Sequence, residues 1–178
     1  MTRFLHTADW QIGRQFATFD AEHAPILAEA RITAVERLAA LATEHGVDAV
    51  LVAGDVFDMQ TVSERTLRRL FNALSGYVGP WLMIPGNHDA ALAESVWTRA
   101  QRLGVVPPNV HALLVPEVRV FEEQGFAVLP APLAQRHTYT DLTAWFDAAE
   151  TPSGMLRISL APSSVQGVLA ADIDSANP

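Results

Sequence analysis

The chain of 178 residues has no cysteine and no lysine. The first absence excludes disulfides, thiolate nucleophiles and cysteine-ligated zinc or iron–sulfur centres. The second makes all 12 basic residues arginine. Guanidinium forks suit phosphate recognition, although an alanine-rich chain can carry arginine simply through coding bias. Long apolar runs are also missing: none approaches the roughly 20 residues that span a bilayer. The start, Met1-Thr2-Arg3-Phe4-Leu5-His6, lacks the apolar core and cleavage site of a signal peptide. The expectation is a cytoplasmic chain with no membrane association. Net positive charge is lacking too, the formal balance being −8, which speaks against a general nucleic-acid coat protein. It leaves room for a metal-dependent nuclease, whose site carboxylates would be offset by bound cations.

What is present is a globular composition, 49% hydrophobic and 18% charged, long enough for one domain with a real core. Residues 3–8 read as a short strand ending at Asp9, followed by a polar loop. A helical pattern runs from about Glu22 to His45, with Leu27, Ala30, Ala34, Leu38 and Leu41 as its apolar stripe and Gly46 at its end. Residues 49–53 form a buried strand, and Ser63 caps a helix reaching about Ser75. Residues 81–84 are a third buried strand, followed by a helix over 93–103. Short β-type runs at 110–115, 118–122 and 126–129 follow. A loop and short helix over 138–149, with Asp141 as a cap, lead to a last strand at 155–161. The core then extends over residues 1–162, with 163–178 an irregular tail. Continuous apolar strands alternating with helices predict an α/β domain whose sheet is of mixed character.

The chemistry gathers beyond the strands. Asp9 follows the first, Asp55 the second, and Asn87 and His88 the third. Parallel strands would bring all of them to one edge, where open α/β sheets collect ligands. Carboxylate and amide oxygens with an imidazole suit Mn²⁺, Mg²⁺, Fe²⁺ or Zn²⁺.

Asp9-Trp10-Gln11, Gly54-Asp55-Val56-Phe57-Asp58 and Gly86-Asn87-His88-Asp89 resemble the first three motifs of the calcineurin-like metallophosphoesterases. Leu5-His6-Thr7-Ala8-Asp9-Trp10 and Ala53-Gly54-Asp55-Val56-Phe57-Asp58 are more narrowly similar to the SbcD-type DNA repair exonucleases. The resemblance implies a mixed β-sheet sandwich flanked by helices, a dinuclear metal site, Mn²⁺ foremost, and hydrolysis of phosphodiester bonds at DNA ends. It implies that Asp9 and Gln11 hold a first metal, Asp55 bridges both, and Asn87 holds the second. His88 would be catalytic, contacting the scissile phosphate, with Asp58 and Asp89 orienting their neighbours. Arg14, Arg136 and His137 are candidates for phosphate contacts. DNA and an SbcC-like ATPase are the implied partners.

Three departures modify that expectation. Gln11 stands where the family has a histidine, and an amide oxygen binds late first-row metals less well than imidazole. Pro162, with no side-chain donor, falls where a later histidine ligand is expected. The family's closing Gly-x-His-x-His motif is absent from the sequence. The phosphoesterase fold is therefore expected to be incomplete at its carboxyl end, its metal site reduced to one weak ion or none, and its edge strands open to homodimerisation. The alternative reading is a catalytically impaired phosphoesterase fold that binds nucleic acid or a partner ATPase.

Overall fold

The computed structural model describes residues 2–136, 138 and 140–162. Four parallel strands come first: β1 (Phe4–Thr7), β2 (Ala49–Ala53), β3 (Trp81–Ile84) and β4 (Val110–Ala112), paired in sequence order. Helices α1 (His23–Glu44), α2 (Glu64–Ala73) and α3 (Val96–Arg102) make the connections. A second sheet holds β5 (Arg119–Phe121), β6 (Phe126–Pro130) and β7 (Leu156–Leu160), with β5 antiparallel and β7 parallel to β6. The expected mixed character thus resides wholly in the second sheet.

Strand alternation explains the layering. Val50, Val52, Trp81 and Met83 point to one face, where they join Ile32, Val35, Leu67, Phe71 and Trp97 of the helices. Ala49, Leu51, Leu82 and Ile84 point to the other and meet Phe126, Val128 and Leu160 of the second sheet. Both faces of β2 and β3 are covered, which is why these strands read as unbroken apolar runs. The order is therefore helices, parallel sheet, mixed sheet. Among the described residues no helix is long and apolar enough to cross a membrane.

Caps set the helix ends. The Ser63 hydroxyl accepts the Thr66 N–H at 3.1 Å, and Ser95 forms a reciprocal capping box with Thr98, starting α3 three residues later than the expected 93. Gly46 turns away after α1 with φ +54, a left-handed conformation glycine adopts without strain.

Two expectations are corrected. The buried face of α1 is Ile32, Val35, Ala39 and Ala42, whereas Ala30, Ala34 and Leu41 of the predicted stripe are exposed. Residues 142–148 form successive turns rather than a helix. Asp141 does cap there, its Oδ1 accepting the Thr143 N–H at 2.8 Å, but it closes a turn. The predicted tail, 163–178, and His137 lie outside the described residues.

Candidate active site

Because β1, β2 and β3 run parallel in near register, their carboxyl ends deliver three loops to one edge. The loops are then stitched together through the backbone. Asp9 N–H donates to Gly54 O at 3.2 Å, Gln11 N–H to Asp55 O at 2.8 Å, Ile12 N–H to Val56 O at 2.9 Å, and Asp58 N–H to Ile12 O at 3.0 Å. The first and second loops thus continue past the sheet as an irregular ladder, with Ile12 bridged to Phe57.

The third loop is held by two carboxylates. Asp55 Oδ1 accepts the His88 N–H at 2.9 Å. Asp89, fully buried, accepts the Gly86 N–H at 2.7 Å and the Phe57 N–H at 3.2 Å, one on each oxygen. Burial pushes the Asp89 carboxyl up to about 6, with its two backbone donors opposing the rise. Burial likewise raises the Asp55 carboxyl, the His88 N–H opposes it, and the neighbouring Asp9 charge adds to it.

The approach of the loops depends on glycine. A Cβ at Gly86 would overlap the Asp55 carboxylate and lie 2.5 Å from the Asp55 backbone nitrogen. One at Gly54 would lie 2.8 Å from Pro162 Cβ and 3.1 Å from Gly86 Cα. Pro162 is thereby placed against the second loop, at the same edge as Asp55.

His88 Nδ1 lies 2.9 Å from Asp58 O. A carbonyl only accepts, so Nδ1 carries the proton and Nε2 is the nitrogen available for chemistry. Asp58 therefore orients His88 through its main chain rather than its carboxylate. A cavity of about 280 Å³ is walled by Asp58, Met59, Asn87, His88 and Arg136. Arg136, a candidate phosphate contact, thus joins His88 from a distant part of the chain.

Arg14 goes elsewhere. Its guanidinium donates to Gln11 Oε1 at 2.6 Å and lies over the Phe16 ring at 5.9 Å. Asp9 is exposed and lines a separate groove with Thr7, Trp10 and Arg31. Among the described residues no group of three or more His, Asp or Glu side chains is gathered closely enough to hold a metal ion.

Two positioning residues have no signature in the sequence. Gln60 donates to Ala90 O at 3.0 Å and accepts the Val96 N–H at 2.9 Å. Trp97 Nε1 donates to Asp89 O at 2.9 Å. Both tie the third loop to α3. An indole buried on a helix is ordinarily core, and only the fold shows that its N–H reaches this loop.

Known proteins resemble this chain in sequence and in fold. The SbcD component of nuclease SbcCD from Rhodobacter capsulatus is 44% identical over 96 residues, half of this chain and 22% of the relative. Its counterpart in Escherichia coli is 39% identical over 100 residues, covering 52% and 23% respectively. The matched part is thus under a quarter of the length of these relatives. The crystal structure of TT1561 from Thermus thermophilus superposes with a TM-score of 0.52 at 18% identity, over 89% of this chain and 57% of that one, a likeness of fold. The calcineurin-like phosphoesterase family matches residues 2–150, nearly all of the described structure, and the chain belongs to that family.

Proposed function

We propose that the strand-end site binds and hydrolyses phosphodiester bonds of DNA, as a repair exonuclease of the SbcD kind, and that it works with one hard divalent cation rather than two. The observation that carries the reading is the bond from His88 Nδ1 to the Asp58 carbonyl. It leaves Nε2 as the nitrogen free for chemistry, and His88 lines one cavity together with Asn87 and Arg136. Protonated at Nε2, His88 gives its proton to the leaving oxygen as water displaces it from phosphorus. Arg136 neutralises a non-bridging oxygen.

The donor set suits one cation. Asp9 and Asp55 would supply carboxylates and Asn87 an amide oxygen, while the Gln11 oxygen is taken up by Arg14. Such oxygen ligands favour Mn²⁺ or Mg²⁺, with water completing the shell. When bound, the ion supplies charge neutralisation and an activated water. The pair of metals does not fit the described residues, since a third His, Asp or Glu is missing from the group and Pro162 brings no donor.

Calorimetric Mn²⁺ titration is expected to give a stoichiometry near one. Mn²⁺-dependent cleavage of linear DNA and of a chromogenic phosphodiester should fall about 10²- to 10⁴-fold in His88→Ala. Unchanged turnover in that variant, or two tightly bound ions, would refute the proposal.

A second reading is favoured by the Arg14–Gln11 bond and by Pro162: a phosphoesterase fold that binds DNA or an SbcC-like ATPase without cleaving. Salt-sensitive DNA binding with no hydrolysis in any divalent metal would establish it. Among the described residues β1 and β7 stand at the edges of their sheets, which supports a homodimer as a further proposal, tested by sedimentation.

A further inference from the structure

We infer that the loop between β1 and α1 carries a stacking platform for an unpaired nucleobase, which places a single-stranded DNA end beside the catalytic cavity. The inference rests on the DNA-directed reading above and assigns a part of the molecule that reading leaves unused.

Phe16 and Phe19 meet edge to face at 6.0 Å. The Arg14 and Arg31 guanidiniums lie over the Phe16 ring at 5.9 and 5.3 Å. Phe19 is 52% exposed, an unusual outlay of aromatic surface on a loop that could be polar. Among the described residues no carboxylate comes within 4.0 Å of either arginine. The nearby Asp20 is engaged by the His23 imidazole and by the Glu22 and His23 N–H groups. In a chain of net charge −8, two cations over the half-buried Phe16 ring, with the exposed Phe19 ring beside it, therefore form a local exception. Arginine with aromatic faces is the chemistry that holds unpaired bases and their phosphates.

The platform stands beside a cavity of about 520 Å³ between the loop, α1 and α2, within the range of small-ligand pockets. Ile12, Pro25 and Met59 give it apolar walls, and Arg14, Gln15 and Thr61 polar ones. Met59 also lines the cavity that holds His88, so the two cavities share a wall residue. A strand whose phosphodiester sits at His88 would lay a neighbouring base along this path. Double-stranded DNA, its bases stacked on each other, offers no free face to the phenylalanines.

The test is fluorescence anisotropy in EDTA, where cleavage plays no part. The probes are a labelled oligothymidylate of about twelve nucleotides, within the usual site sizes, an abasic strand of equal length, and a blunt duplex. The intact chain is expected to bind the oligothymidylate at least about fivefold more tightly than the abasic strand. Phe19→Ala should lose that preference without weakening abasic binding, and Phe16→Leu, which keeps apolar bulk but removes the ring, should behave likewise. Equal binding of the two strands, or an unchanged preference in Phe19→Ala, would overturn the inference. An intact chain that distinguishes bases from abasic sites in EDTA yet cleaves no DNA in any divalent metal sinks only the nuclease reading.

Discussion

Among the described residues, left-handed backbone outside glycine is confined to Asp9, Gln11 and Asp55, with φ of +56, +45 and +51. All three lie where the first loop meets the second. Such conformations cost on the order of 1 kcal/mol or more each and persist where surrounding bonds impose them; here the ladder from Asp9 to Asp58 does so. The two aspartates carry that geometry more readily than most residue types. The same crowding makes Gly86 the sharpest single position. Gly86→Ala must separate the third loop from the Asp55 backbone, which cannot yield as a flexible side chain would. A loss of about 1–3 kcal/mol is expected, read as a lowered urea midpoint. An unchanged midpoint in Gly86→Ala would contradict the packing argument. At this scale the sequence discloses that the ends of β1, β2 and β3 meet at one edge, because unbroken apolar runs mark parallel strands. It cannot disclose that Asp58 acts through its carbonyl, nor that Arg14 engages Gln11, since both depend on loop paths that no local pattern encodes.

The strands and helices are legible for a physical reason: a parallel sheet covered on both faces writes itself as unbroken apolar segments. Helix α1 is legible in extent but not in orientation. Its alanines occur on every side, so several stripes look equally apolar, and the burial of Ile32, Val35, Ala39 and Ala42 shows which one faces the core. This yields a discriminating pair. Ile32, 6% exposed, should cost about 2–4 kcal/mol when changed to Ala. Leu41, 41% exposed, should cost well under half of that in Leu41→Ala. Chemical denaturation that ranks them the other way would return α1 to the face predicted from spacing. The 138–149 stretch misleads for a related reason. Its apolar residues suggest a helix, yet Asp141 captures the Thr143 N–H and hydroxyl, and Arg157 donates to Phe146 O at 2.6 Å. These bonds hold a chain of turns against β7.

The whole molecule has a titration profile set by what the sequence lacks. With no lysine and no cysteine, little titrates between the terminal amine, near 8, and arginine, above 12, apart from tyrosine. There are two tyrosines, Tyr77 and Tyr139. Tyr77 sits 5% exposed against Trp81 and donates its hydroxyl to Val47 O at 2.9 Å, joining the turn after α2 to the one before β2. Burial raises its phenol to about 12, and the Asp48 charge adds to the rise. A raised acid favours the neutral form in the folded state. Its contribution is therefore fully present below the unfolded value near 10 and is lost as pH climbs from 10 to 12. A shift of about two units corresponds to a decline of roughly 3 kcal/mol across that window. Stability should accordingly be nearly level from about pH 8.5 to 10 and then fall. Tyr77→Phe should remove most of the fall while costing about 1 kcal/mol at neutral pH, because the Val47 carbonyl loses its donor. Urea titrations at stepped pH would show it, and an equally steep decline in Tyr77→Phe would mean that the alkaline limit lies in another part of the molecule.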